Sequence, residues 1–125
     1  MRKAIMTEKA PKPVGPYSQA IIDGDTIYVA GQGPGNPETG QLEKGDVRAE
    51  TRRTLDNLKA ILEAAGSSLD KVLRCNVYLR DINDFAAMNE VYTTYFTAPA
   101  PARTTIQAGA LPGGIAVEID CIARR

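Results

Sequence analysis

Two side chains in the last quarter of the chain have the types and the spacing to act on one small molecule. Arg103 stands in the run Pro101-Ala102-Arg103-Thr104-Thr105-Ile106, and Glu118 in the run Ile115-Ala116-Val117-Glu118-Ile119-Asp120-Cys121-Ile122. A guanidinium offers a planar fork of donors that matches a carboxylate. A glutamate can take a proton from water and return it elsewhere. Together they suit hydrolysis of a small substrate that carries a carboxylate. Leu111-Pro112-Gly113-Gly114 breaks the two strand-like runs, which is the pattern of a β-hairpin or β-arch. The expected pairing is antiparallel about residues 111–114, with Thr105 and Ile106 opposite residues near Val117–Ala123. Arg103 then falls near the far end of the pair and Glu118 nearer the turn, and both line one groove.

Composition removes most competing chemistries. The chain has 125 residues, which favours a single domain over residues 1–125 with a core that needs no disulfide or metal. Fifteen basic and fifteen acidic residues cancel, so a nucleic-acid partner is not expected. There is no histidine. His-based triads, Cys–His pairs and nearly all zinc sites are thereby excluded, and acid–base work falls to Glu, Asp, Tyr, Lys, Cys or water. The two cysteines, Cys75 and Cys121, form no CxxC pair and read as buried, reduced thiols of a cytoplasmic protein. No apolar run approaches a membrane span, and none follows Met1-Arg2-Lys3 to make a secretory leader, so neither membrane nor export is expected.

The elements that must position these residues can be read in order. Residues 2–6 suit a short strand; residues 7–16, with Pro11, Pro13, Gly15 and Pro16, cannot be a helix. Tyr17–Ile22 and Thr26–Ala30 read as strands around the turn Asp23-Gly24-Asp25. Gly31–Gly45 is a long Gly/Pro loop that lacks the lysine of a phosphate loop, and Gly31 offers a bare backbone N–H to a ligand. Asp46 to Ala65 is the clearest helix: Asp46 caps it, Val47, Thr51, Leu55, Leu58, Ile61 and Leu62 share a face, and Gly66 stops it. Residues 71–80 alternate strictly and form a strand. A second helix is expected over residues 85–97, with Phe85, Met88, Tyr92, Tyr95 and Phe96 as its buried stripe and Asn89 at the edge of that stripe.

The order ββ–α–β–α–ββ predicts an α+β domain, a mixed sheet with two helices on one face. On the last strand Ile115, Val117, Ile119, Cys121 and Ala123 would meet the helices, and Ala116, Glu118, Asp120 and Ile122 would face away. Apolar residues on that second face predict a partner, most simply further copies of this chain, with a ligand site at the boundary. Taken singly, each site residue has a plainer reading. Glu118 suits a solvated sheet face, Arg103 a strand edge or structural ion pair, Tyr17 a packed ring, and Asn89 a helix surface.

The chain resembles the RidA (YjgF-type) family of imine/enamine deaminases. The resemblance rests on Ala10-Pro11 with Gly15-Pro16-Tyr17-Ser18-Gln19-Ala20, and on Val29-Ala30-Gly31-Gln32 with Asn36-Pro37-Glu38-Thr39-Gly40. It continues through Thr54–Gly66, Val77–Phe85, Pro101-Ala102-Arg103-Thr104-Thr105 and Val117-Glu118-Ile119, and so covers nearly the whole chain. It implies a chorismate-mutase-like α+β fold and a homotrimer whose clefts lie between subunits. It implies 2-imino and 2-oxo carboxylates as ligands, with no metal or cofactor. Arg103 would hold the substrate carboxylate and Glu118 would orient water and relay protons. Backbone groups at Gly31 and Thr105 would contact the substrate, Tyr17 would shape the cleft, and Asn89 would reach it from a neighbouring subunit. Two positions depart from the pattern: Ala30 stands where many members have serine, and Thr105 where some carry cysteine. A non-catalytic carboxylate-binding or holdase-like trimer and an endoribonuclease are the other classes the resemblance leaves open.

Overall fold

The computed structural model describes all of residues 1–125. Its strands are β1 (Arg2–Ile5), β2 (Ala20–Asp23), β3 (Thr26–Gln32), β4 (Val72–Leu79), β5 (Ala102–Gln107) and β6 (Val117–Arg124). Its helices are α1 (Val47–Ala64) and α2 (Phe85–Tyr92). The fold is α+β, with one six-stranded mixed sheet in the order β1-β2-β3-β6-β4-β5.

Helix α1 forms where its signals place it. The Asp46 side chain accepts from the Arg48 N–H at 3.2 Å. Gly66 takes φ +79°, its N–H bonds to the Glu63 carbonyl, and the Ser67 N–H bonds to the Leu62 carbonyl. This is a Schellman stop, which needs a residue free of Cβ strain at that point. Leu55, Leu58, Ile61 and Leu62 are wholly buried against β3 and β6. Cys75, Val77 and Leu79 of β4 and Val117, Ile119, Cys121 and Ala123 of β6 complete the core from the sheet, and Met88 and Tyr92 enter it from α2. Gly24, at φ +60°, turns the β2–β3 hairpin as expected.

The expected hairpin at the C-terminal end does not form. β5 and β6 are not neighbours: β6 lies between β3 and β4, antiparallel to both, and β5 pairs with β4 in parallel at the sheet edge. The reason is burial. The core face of β6 is buried at Val117, Ile119, Cys121 and Ala123, and a strand with four such positions belongs in the sheet centre. β5 buries none of its six residues and serves only as an edge. α2 crosses back between β4 and β5, so those two strands must run in the same direction. Thr105 accordingly lies beside Val77, not beside β6.

Four smaller expectations are also corrected. α2 stops at Tyr92 rather than at residue 97, where turns take over before the prolines. Phe85, placed in the buried stripe, is 43% exposed. Tyr17 precedes the strand it was assigned to, because β2 begins at Ala20. β3 in turn runs through Gly31 to Gln32, which the glycine pattern assigns to the loop.

Candidate active site

β3 and β6 make one half of the site through an irregularity. Val29 pairs with Cys121 and Gln32 with Ile119, so Ala30 and Gly31 together oppose Asp120. This extra residue is a β-bulge, a device that re-aims side chains beside it. Glu118 leans into the space that the bulge opens. A Cβ on Gly31 would stand 2.5 Å from Glu118 Oε2, so the glycine is what lets the carboxylate sit there. Tyr17, Ala30, Gly31, Ile115 and Glu118 line a cleft of about 460 Å³. Burial, and to a lesser extent the Asp120 carboxylate, holds the Glu118 carboxyl above the ordinary carboxylate range.

Buried polar side chains hold the walls. The Gln19 amide donates to the carbonyls of Thr7 and Pro11 at 3.0 and 2.9 Å, and its oxygen accepts from the Thr7 N–H at 2.7 Å. The irregular segment before Tyr17 is thus fastened to β2. Asn57 donates from the buried face of α1 to the carbonyls of Gly33 and Gly35 at 3.0 and 2.9 Å. Glu50, fully buried, accepts from the Ala116 N–H at 2.8 Å and the Gly45 N–H at 3.1 Å, which ties the start of β6 to α1. Sequence reasoning missed all three as positioning residues. A signal was there for two of them: Glu50, Thr54, Asn57 and Ile61 fall at helical spacing on the face that is otherwise apolar.

The other half lies across the sheet. Arg103 pairs in register with Cys75, and Thr105 with Val77, so both project toward the helices. Arg103 Cζ lies 4.6 Å from the Tyr92 ring centroid and 5.4 Å from that of Phe85, within cation–π range of both. The two ion pairs of the chain are Met1–Asp23 and Arg48–Glu90, and the Arg103 guanidinium bonds to no protein acceptor. Its donors are free while its position is set by aromatic rings. Asn89 Oδ1 and Thr105 Oγ1 are buried and lack hydrogen-bond partners. Cys75 lies beneath, with its thiol pushed up by burial.

The structure therefore divides the expected site residues into two groups. Tyr17, Gly31 and Glu118 share the cleft; Tyr17 is half-exposed, and its hydroxyl accepts from the Val14 N–H at 3.3 Å. Arg103, Thr105 and Asn89 belong to the β5–α2 side. Glu118 pairs with Tyr78, one residue out of phase with Cys75 and Val77, and so faces away from the helices. The single groove containing both Arg103 and Glu118 does not exist within one chain. No three His, Cys, Asp or Glu side chains gather where they could hold a metal ion, and no helix is long and apolar enough to cross a membrane.

Comparison with known proteins gives the chain its relatives. The family model described as Endoribonuclease L-PSP matches residues 7–125. The chain is 53% identical over 122 residues to a RutC family protein of Pyrococcus abyssi, covering 98% of this chain and 96% of that one. It is 48% identical over 123 residues to the 2-iminobutanoate/2-iminopropanoate deaminase of Mus musculus, covering 98% and 91%. The crystal structure of RidA from an Antarctic Psychrobacter superposes with a TM-score of 0.95 at 46% identity, covering 98% of this chain and 99% of that one.

Proposed function

This chain belongs to the endoribonuclease L-PSP family, the YjgF/RidA family, and from that premise we propose that it hydrolyses 2-imino acids to 2-oxo acids and ammonia. The substrates are 2-iminopropanoate, the tautomer of 2-aminoacrylate, and 2-iminobutanoate. The observation that carries the reading is the Arg103 guanidinium, half-buried and stacked on Tyr92 but bonded to no protein acceptor. Such an arginine is preorganised for a ligand carboxylate rather than for a structural pair.

The chemistry asks little of the site. Arg103 holds the carboxylate through two N–H donors and so fixes the neighbouring imine carbon. Glu118, in its ionised form, takes a proton from a water, whose oxygen adds to that carbon and gives a carbinolamine. Glu118 returns that proton to the nitrogen, then takes the hydroxyl proton and delivers it to the departing nitrogen as the C–N bond breaks, so that ammonia leaves and the carbinol oxygen becomes the ketone. The buried oxygens of Asn89 and Thr105 would accept from the substrate's N–H or hydroxyl. Imines hydrolyse readily, so positioning and proton transfer are sufficient help. Neither a metal nor a cofactor enters the sequence of steps.

Arg103 and Glu118 face opposite ways in one chain, so a site using both needs two copies. The half-apolar sheet face, with Tyr28 and Ile106 half-exposed, would pack against the next copy and bring its own cleft to that copy's β5–α2 edge. Such a contact is head-to-tail, and copies joined in this way form a ring when the rotation between them closes. The homotrimer implied by the resemblance is the ring we propose. We also place the protein in the cytoplasm, where two free buried thiols stay reduced.

The test is ammonia release from 2-iminopropanoate and 2-iminobutanoate, generated in situ by an amino-acid oxidase, with Arg103→Ala as control. Acceleration by wild type alone is expected. A folded wild type that accelerates neither reaction would overturn the reading.

A further inference from the structure

The two rings around Arg103 are not equivalent. Tyr92 is 6% exposed, lies closer to the guanidinium, and is packed in turn against Phe96 at a centroid distance of 4.7 Å. It is a fixed floor. Phe85, at the first position of α2, is left 43% uncovered by its own chain beside the same cation, on the edge that the next copy's cleft faces in the proposed ring. A ring needed only to steady the arginine would gain nothing from that exposure. An exposed ring beside an unpaired donor fork is instead an apolar surface next to a carboxylate receptor.

The reach fits. Bidentate bonds of about 2.8 Å place a bound carboxylate carbon about 4 Å from Cζ, and two further bonds place the first side-chain carbon of a 2-imino acid at about 6 Å. The Phe85 centroid is 5.4 Å from Cζ. The side chain and the ring thus lie at comparable distances from Cζ, so a substrate that leaves the fork on the α2 side meets the ring edge with its carboxylate still bound. Asn89, one helical turn after Phe85, carries the unpaired Oδ1, so polar and apolar recognition follow each other along one face of α2.

We infer that Phe85 reads the substrate's side chain, and that the site favours unbranched aliphatic 2-imino acids whose added methylenes cover its ring. The inference rests on Arg103 as the carboxylate anchor of the proposed function, but not on turnover. Two readouts therefore test it. One is calorimetric binding of 2-oxopropanoate, 2-oxobutanoate and 2-oxohexanoate; the other is kcat/KM for the matching imines. In wild type each added methylene should improve both by about two- to fourfold, the upper figure being that of full burial. Phe85→Ala should flatten the gradient, Phe85→Leu should keep most of it, and Phe85→Gln gives the same test as Ala should that variant fold poorly. A gradient unchanged in Phe85→Ala or Phe85→Gln would overturn the inference. So would an equal loss on all three lengths, which would make the ring a mere prop for Arg103. A wild type with a Phe85-dependent binding gradient but no turnover sinks the deaminase reading alone; one that deaminates without a gradient sinks this inference alone.

Discussion

Glu118 occupies the space that a side chain at residue 31 would need: a Cβ built on Gly31 falls 2.5 Å from Oε2. Gly31 does not have the positive φ that would itself demand glycine. Gly31→Ala should therefore fold, with a stability change within about 1 kcal/mol, because the obstructing atom ends a flexible side chain that can swing away. Turnover should suffer far more, by about 100-fold, since a displacement of an ångström is enough to spoil a positioned base. Thermal unfolding and imine turnover on the same preparation check both halves of this expectation.

Arg103 has no carboxylate partner to lose, so replacing it should spare the fold. Two charge-assisted hydrogen bonds at about 1.5–3 kcal/mol each predict a loss of at least 100-fold in kcat/KM for Arg103→Ala. Arg103→Lys keeps the charge but loses the planar fork and the stacking on Tyr92, and should recover only a small part. Steady-state kinetics with circular dichroism of each variant decides the point. An arginine that mattered for structure would instead show as a lost far-UV spectrum.

The opposite facing of Arg103 and Glu118 predicts complementation. Arg103→Ala and Glu118→Ala proteins should each be inactive. Mixed and allowed to exchange subunits in equal amounts, they should regain about a quarter of wild-type activity, the fraction of head-to-tail boundaries at which both intact residues meet. A mixture that stays inactive after exchange, verified by mass spectrometry, would mean the two residues do not share a site across copies.

Glu118 also predicts a pH dependence with a definite sign. Burial first, then Asp120, raises its folded value above the ordinary carboxylate value. Between the two values the folded chain holds more proton than the unfolded one, so this group makes stability fall as pH rises through that window. The full destabilising effect is present above the folded value and none below the unfolded one, about 4.3. Glu118→Gln should then melt higher than wild type at pH 7 and equal to it at pH 3. As the base, Glu118 must be ionised, so the acid limb of kcat/KM should lie above the ordinary carboxylate range, and Asp120→Asn should move it down.

Asn57 and Glu50 hold the cleft from behind, and their loss should be read in stability. Asn57→Ala leaves the Gly33 and Gly35 carbonyls without their donor, and Glu50→Ala leaves the Ala116 and Gly45 N–H groups without their acceptor. At about 1–3 kcal/mol for each buried group left unpaired, Asn57→Ala should cost about 2–6 kcal/mol by denaturant titration, and Glu50→Ala at least about 1–3 kcal/mol, since Gly45 is exposed and can turn to water.

What could be read without the structure was what depends on neighbours in sequence. The Asp46 cap and the Gly66 stop delimit α1 because each acts within one turn, and alternation assigns Val117, Ile119, Cys121 and Ala123 to one face because the period of a strand is local. The site residues were likewise named by their chemistry and by the family pattern that carries them. Strand order was not legible. The break at 111–114 reads as a hairpin, yet β6 has more to bury than an edge position beside β5 allows, and it takes the centre between β3 and β4. That choice balances burial over the whole sheet, so no single segment encodes it. It sets β5 against β4 with Arg103 beside Cys75, and so puts Arg103 on the helix side, opposite to the face that alternation already gives Glu118. Asn57 and Glu50 escaped for the same reason: the carbonyls and N–H groups they satisfy lie more than twenty residues away in all but one case, and only folding brings them within hydrogen-bond reach.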